Sequence, residues 1–244
     1  MTQIASQQNP RLKALRRLQA RRERARSGRF LAEGEDLVAA AESAGLQPVE
    51  GFRLAGSGLG GAGFHEVEPD ALAAASTLGS GTRVIGVYEQ RWSRPEGPLC
   101  VYLHGVADPG NVGTILRSAQ AFGGSSVALG PGCADPYSPK AVRASMGAIF
   151  SVPVARIPDV AELPGERIAL LPGAEALLRR PEQDPPECVT LLIGAERAGL
   201  PAEIIGACRR SARIAIASES LNAAMAATVA LYEMTRRPSR VTPS

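Results

Sequence analysis

Asp108-Pro109-Gly110-Asn111-Val112-Gly113-Thr114-Ile115-Leu116-Arg117 leads out of an apolar strand-like run at 99–103 and into a helix-like run that continues to Phe122. This strand-to-helix passage sets the fold class of the 244-residue chain. Asn111 stands beside the expected helix start, and Arg117 follows six residues later, near enough to share a site. Taken singly, Asn111 reads as a helix cap and Arg117 as a helix-surface cation. Two further blocks also follow strand-like runs: Gly194-Ala195-Glu196-Arg197-Ala198-Gly199-Leu200 and Ser220-Leu221-Asn222.

Strand-like runs recur at 99–103, 126–129, 152–157, 167–171, 189–193 and 213–217, with helix-like segments between several of them. Residues 221–236 close the pattern as a long helix. Strands alternating with helices predict an α/β fold with a parallel sheet covered on both faces. The amino-terminal part is organised differently. Residues 10–26 read as one helix, with Leu12, Leu15 and Leu18 three apart and arginines on the other sides. A second helix at 35–44 is stopped by Gly45 and Pro48, strand-like segments follow at 51–55 and 83–88, and a short helix lies near 70–76. The expected division is a small α+β domain at 1–90, a linker at 91–97 and the parallel-sheet domain at 98–238.

Aliphatic residues are plentiful and aromatics are 4% of the chain, which suits a Val/Ile/Leu sheet under Ala-rich helices. No apolar run reaches the length of a membrane span, and the amino terminus lacks the apolar core of a signal peptide, so the expectation is a cytoplasmic soluble protein. Cys100, Cys133, Cys188 and Cys208 are widely spaced without a C-x-x-C, and only two histidines are present. Buried free thiols are expected, and no metal centre. Charge is unevenly placed. Residues 1–29 carry nine basic side chains (Arg11, Lys13, Arg16, Arg17, Arg21, Arg22, Arg24, Arg26 and Arg29) against Glu23, a balance of +8 in a chain of net charge +3, so the remainder balances at −5. A basic arm on a mildly acidic body fits a polyanion partner; a solvated helix face is the alternative.

Gly56-Ser57-Gly58-Leu59-Gly60-Gly61 satisfies the dinucleotide pattern G-x-G-x-x-G. Such a site needs a helix to begin there, because pyrophosphate sits on its N-terminal amides. Ala62-Gly63-Phe64-His65-Glu66-Val67 follows instead, which reads as loop and then strand, so a flexible surface loop is expected. His104, closing the strand at 99–103, reads as a core or hydrogen-bonded histidine, and Cys133 has no nearby histidine to activate it.

The three blocks in this order resemble the SpoU/TrmH branch of the SPOUT superfamily, RNA ribose 2′-O-methyltransferases. The family's numbered motifs match 111–117, 192–200 and 213–222. Asp135-Pro136-Tyr137-Ser138-Pro139-Lys140-Ala141-Val142-Arg143-Ala144-Ser145-Met146-Gly147 is similar to the segment after the second catalytic-domain strand. Arg29-Phe30-Leu31-Ala32-Glu33-Gly34-Glu35 looks like the signature of the family's amino-terminal RNA substrate-binding domain. The resemblance implies a trefoil-knotted catalytic domain, a homodimer with the cofactor pocket at its interface, and S-adenosylmethionine as cofactor.

By the same resemblance, Asn111, Arg117, Glu196, Ser220 and Asn222 are the catalytic set, and Ile193, Gly194, Ile214 and Leu221 border the cofactor. Arg11, Lys13, Arg16, Arg17, Lys140 and Arg143 are the RNA-binding candidates. The residue matching Arg117 is cast in the family as a general base; a guanidinium is effectively never neutral in protein, so a fixed cation stabilising the developing alkoxide is the other role open to it. The third motif departs from the family: Ile214-Ala215-Ile216-Ala217-Ser218-Glu219 precedes Ser220 without the usual proline or glycine, in a shortened loop. Ribosomal RNA is the preferred substrate, since an added substrate domain suits a folded target recognised by shape. Transfer RNA, a non-catalytic RNA-binding or ribosome-assembly factor, and a small-molecule methyltransferase are the alternatives.

Overall fold

A computed structural model describes residues 3–61, 63–78, 81–180, 186–217 and 220–236. The chain separates into two compact units. One comprises Met1–Trp92 with Asp108–Arg117 and Ala134–Pro153; the other comprises Ser93–Ala107, Ser118–Cys133 and Val154–Ser244.

The first unit opens with α1 (Pro10–Arg17) and α2 (Arg21–Ser27), then β1 (Arg29–Glu33), α3 (Glu35–Ser43), β2 (Glu50–Leu54), β3 (Phe64–Val67), α4 (Pro69–Ala75) and β4 (Val84–Glu89). Asn9 caps α1 by accepting from Arg11 N, with Pro10 in the first turn, where a missing N–H does no harm. The strands form a sheet in the order β1-β4-β2-β3, antiparallel except for the β2–β3 pair. Leu12, Leu15 and Leu18 drop into its core beside Phe52, Leu72 and Ile85, as their spacing predicts. Each fully buried leucine contributes about 1.5–3 kcal/mol.

The single helix expected over 10–26 is two helices. Leu18, Gln19 and Ala20 fold back in tight turns on Leu15, Arg16 and Arg17. Arg24 then donates Nη1 to the carbonyls of Leu18 (2.9 Å) and Gln19 (2.7 Å), capping the end of α1. The same guanidinium pairs with Asp135, Nη2 to Oδ2 at 2.8 Å. Arg24 is therefore 3% exposed, and it leaves the set of phosphate-ready cations for a structural role.

Residues 134–153 belong to this unit through aromatic packing. Phe30 on β1 lies 4.8 Å from Tyr137 and 5.9 Å from Phe150, ring to ring, and Tyr88 on β4 meets Phe150 edge-on at 5.0 Å. Between these anchors runs α6 (Pro139–Ser145), capped by Ser138, whose hydroxyl accepts from Ala141 N. The glycine-rich stretch 56–61 is a loop between β2 and β3, held by Arg53 Nη1 on the carbonyls of Leu59 and Gly61. The next helix is α4, so the dinucleotide pattern has no helix to serve it. Ala62 lies outside the described residues.

A further helix, α5 (Pro109–Ala121), carries the opening stretch. The second unit is built on β5 (Leu99–Leu103), β6 (Ser126–Leu129), β7 (Val154–Arg156), β8 (Glu166–Leu170), β9 (Val189–Ile193) and β10 (Arg210–Ala212), with α7 (Ala202–Gly206) and α8 (Ala223–Thr235). The six strands are all parallel, in the order β10-β8-β9-β5-β6-β7. Every residue of β5 and β9 is buried, as a parallel sheet covered on both faces requires. The strand expected at 213–217 sits instead at 210–212, where it pairs with β8. Beyond it only Arg213 makes a bridge, to Leu177, and the following apolar residues leave the sheet. All four cysteines are free thiols, but only Cys100 is buried; Cys133, Cys188 and Cys208 are half-buried, because they stand in loops or at element ends.

Candidate active site

Three strand ends of the second unit make a cavity of about 290 Å³. β8 leaves the sheet into Leu171 and Pro172, β9 into Gly194, and β10 into Ile214 and Ile216; all of these residues line it. Open parallel sheets take ligands in this place, outside the carboxyl ends of the strands. The fourth wall is Ser220, Leu221 and the first turns of α8, at Ala223 and Ala226.

The turn after β9 is closed on itself. Ala195 and Gly199 exchange backbone hydrogen bonds of 3.2 and 2.9 Å, so Glu196, Arg197 and Ala198 stand exposed at the cavity rim. Gly194 is required by that turn. A Cβ there would lie 2.1 Å from the Gly199 carbonyl carbon and 2.5 Å from Leu200 N. The glycine thus makes room first for the protein's own backbone. At the start of α8, Asn222 is the N-cap, its side-chain oxygen accepting from Ala224 N (2.9 Å) and Met225 N (3.4 Å). Farther along α8, the Thr228 and Ser118 hydroxyls meet at 2.6 Å.

All four residues expected at the cofactor, Ile193, Gly194, Ile214 and Leu221, line this one cavity, together with Glu196 and Ser220 of the catalytic set. Ile214 and Ile216, read in sequence as strand residues, supply its apolar wall. Ser218 and Glu219 lie outside the described residues. His104 closes β5 as a hydrogen-bonded histidine, Nδ1 3.3 Å from the Tyr102 hydroxyl, which burial pushes up to about 12. Cys133 donates its thiol to Leu103 O, and burial raises its pKa, the reverse of what a nucleophile needs.

Asn111 and Arg117 belong to the first unit, on α5. The helix starts at Pro109, which puts Asn111 inside it; the capping carboxylate is Asp108, accepting from Gly110 N. Lys140 pairs with Asp108 at 3.1 Å, and this bond, followed by those from Gly110 and Asn111, holds the Asp108 carboxyl below its ordinary range. Gly113 is a packing residue that its place in the motif does not announce. A Cβ on it would stand 2.3 Å from Ala141 O and 2.7 Å from Ala144 Cβ, so α5 and α6 touch backbone to backbone. Arg117, one turn on from Gly113, is exposed and has no ion-pair partner among the described residues.

The basic arm is only partly available. Arg11 pairs with Glu50, Arg26 with Glu23, and Arg16 donates to Gln7 O at 2.9 Å. Lys13, Arg17, Arg21, Arg22 and Arg29 are exposed. Arg143 on α6 is half-buried and donates Nη1 to Thr77 Oγ1 at 2.9 Å. Among the described residues no cluster of three or more His, Cys, Asp or Glu is placed to hold a metal ion, and no helix is long and apolar enough to cross a membrane.

Residues 98–232 match the SpoU rRNA Methylase family, and residues 9–90 match the MRM3-like substrate binding domain. The chain is 30% identical over 251 residues to the 23S rRNA (guanosine(2553)-2′-O)-methyltransferase RlmP of Bacillus subtilis, covering 96% of this chain and 99% of that one. It is 36% identical over 141 residues to the 23S rRNA (uridine(2479)-2′-O)-methyltransferase of Streptomyces viridochromogenes, covering 53% and 49%. Among solved structures, the AdoMet-bound rRNA methyltransferase from Sinorhizobium meliloti superposes with a TM-score of 0.83 at 31% identity, over 96% of this chain and 97% of that one.

Proposed function

We propose, from the premise that this chain belongs to the SpoU rRNA methylase family, that it transfers a methyl group from S-adenosylmethionine to a ribose 2′-hydroxyl of ribosomal RNA. One observation carries the reading: a single cavity at the carboxyl ends of β8, β9 and β10 gathers Ile193, Gly194, Ile214 and Leu221 with Glu196 and Ser220. The lining suits the cofactor. Leu171, Ile214, Ile216 and Leu221 offer aliphatic faces for a purine, and among the described lining residues Glu196 is the one acid, with Arg197 beside it at the rim. When bound, the cofactor supplies a methyl group on positively charged sulfur, already activated for displacement.

The chain's part is positioning and charge control, which supply much of the rate in such transfers. Asn222 fixes the start of α8 and with it the Ser220–Leu221 edge of the cavity. Arg117 is the fixed cation that grips the target phosphate and stabilises the developing alkoxide, since its guanidinium stays protonated. Asn111 and Ser220 orient the reacting hydroxyl. The exposed arm cations take RNA phosphates. Residues 1–90 hold the substrate and 98–238 carry the transfer, in the cytoplasm.

On the same reading the catalytic domain is knotted and dimeric. Support for the dimer lies on α8, where Met225 is 61% and Tyr232 50% exposed, the latter packed edge-on against Phe122 at 6.0 Å. Apolar side chains of this size in one exposed row suit a second copy of the chain. Calorimetric titration with S-adenosylmethionine, followed by mapping of 2′-O-methyl positions in ribosomal RNA with and without the protein, tests the function. One binding event per subunit and one lost methyl mark are expected. No heat at millimolar ligand leaves the non-catalytic RNA-binding factor in possession, and a mark lost from transfer RNA alone changes the substrate.

A further inference from the structure

Met146 is the only non-glycine among the described residues with a left-handed backbone, φ 48° and ψ 39°. It ends α6, its N–H donating to Arg143 O at 3.0 Å, and its side chain is 53% exposed. Helices that end this way usually place glycine or asparagine there, because a Cβ is strained in that conformation. Burial does not compensate the strain, since most of the side chain is in solvent. The next residue behaves differently: a Cβ on Gly147 would lie 2.5 Å from Ala40 Cβ, so packing excludes a side chain there. At 146 the fold would accept glycine and be relieved by it. A strained backbone that holds a long apolar side chain outward marks a site where something else uses that side chain.

Two cations stand on the same helix, each near an acid: Lys140 pairs with Asp108, and the Thr77 hydroxyl that accepts from Arg143 donates to Glu33. Lys140 and Arg143 precede Met146 by about two turns and one turn of the same helix. The Lys140–Asp108 pair is exposed on both sides, 59% and 48%, and such a pair yields readily to a phosphate. Arg143 commits Nη1 to Thr77 Oγ1, which fixes the guanidinium and leaves further N–H donors for an anion. Thr77 is followed by Leu78, itself 47% exposed. An exposed apolar side chain at the end of a helix that carries two cations matches an RNA segment whose base is out of the stack: the flat face packs on the thioether, and the neighbouring phosphates meet the cations. A paired helix presents no such face.

We propose that Met146 is a base-contacting residue of the RNA site, packing on an unpaired nucleobase while Lys140 and Arg143 hold the flanking phosphates. This rests on the RNA methyltransferase reading and extends it to how the target is recognised. The test compares the wild-type protein with Met146→Gly and Met146→Leu, using ribosomal RNA from cells that lack the protein. RNA affinity is read by filter retention and methyl transfer with labelled S-adenosylmethionine. Met146→Gly should raise Tm by about 1–3 °C, the relief of the left-handed strain less the entropy glycine adds to the unfolded chain. The same variant should weaken RNA affinity and kcat/KM about 3- to 10-fold, the loss of one thioether–base contact, with S-adenosylmethionine affinity unchanged. Met146→Leu should stay within about 3-fold of wild type, because an aliphatic side chain restores the packing face. A more stable Met146→Gly protein that binds and methylates like wild type overturns the proposal. If wild type binds RNA without methylating it, the enzymatic reading falls while the affinity comparison still decides Met146. A wild-type protein that binds no RNA overturns both.

Discussion

Arg24 and Asp135, 111 residues apart in the chain, meet in a buried ion pair in which Nε and Nη2 of the arginine both approach Oδ2, at 2.9 and 2.8 Å. Their side chains are 4% and 10% exposed. The same guanidinium closes the end of α1, so a single side chain ties the two amino-terminal helices to the segment that carries α6.

Arg24→Ala should therefore destabilise the protein by about 3–5 kcal/mol, since it strands a buried carboxylate, as read from urea unfolding. Removing residues 1–29 should unfold the first unit rather than trim an arm, because it deletes this pair and the core leucines Leu12, Leu15 and Leu18. A truncated protein with an unchanged unfolding midpoint would contradict this.

Phosphate contacts are better tested at exposed positions. Replacing Arg17, Arg21 and Arg22 with glutamine should lower the salt slope of RNA binding by about 1–2 while S-adenosylmethionine affinity and unfolding midpoint are preserved. Affinity measured at several salt concentrations decides it. Equal slopes would make the arm a solvated helix face.

Gly194→Ala and Gly113→Ala should fail for different reasons. The first drives a methyl into the Gly199–Leu200 backbone and should weaken S-adenosylmethionine binding at least 10-fold by deforming the cavity wall. The second presses on Ala141 and Ala144 and should cost about 1–3 kcal/mol of stability, with cofactor affinity retained. Calorimetry and thermal unfolding on both variants separate the two.

Arg117→Ala and Arg117→Lys should each remove most methyl transfer and leave cofactor affinity nearly unchanged, because a planar fork is not replaced by a point charge. Asn111→Ala should behave likewise. Near-normal turnover in Arg117→Lys would show that positive charge alone is needed there.

Thiol chemistry should be silent. Burial pushes the Cys100 thiol up to about 11 and also raises Cys133, so the reactive thiolate is scarce in both at pH 8. Iodoacetamide at that pH should label both slowly and leave methyl transfer intact. Rapid inactivation that follows Cys133 labelling would give this residue a part in the reaction.

The legible parts of the fold were those decided locally. β5, β6 and β9 lie where their apolar runs place them, because burial on both faces demands a near-continuous apolar strand, its two polar members, Ser126 and Thr190, bonding to the carbonyls of Glu96 and Pro164. β10 lies upstream of its apolar run for the opposite reason: Ile214 and Ile216 are apolar because they wall a cavity, and periodicity does not distinguish a cavity wall from a sheet core. The break between α1 and α2 has no proline or glycine to announce it, since its cause is Arg24 reaching back from the next helix. Gly113 and Gly194 stood inside the motifs, but what excludes a Cβ at each is backbone brought in by another segment or by a turn closing on itself. Met146 gave no sequence signal, because a left-handed backbone is invisible until the chain is folded.

The order of the parallel sheet has a bearing on how the chain is made. β9 is an inner strand, pairing with β8 on one side and β5 on the other, yet it is nearly the last strand to be synthesised. While translation has not passed Val189, β5 waits with one edge unpaired and β8 has no neighbour at all, for its other partner, β10, comes later still. Pairings between segments so far apart form slowly. The cavity that β8, β9 and β10 terminate thus appears only when the sheet is complete, and a nascent or misfolded chain has nowhere to bind the cofactor. Ligand occupancy in this protein is a certificate of finished folding.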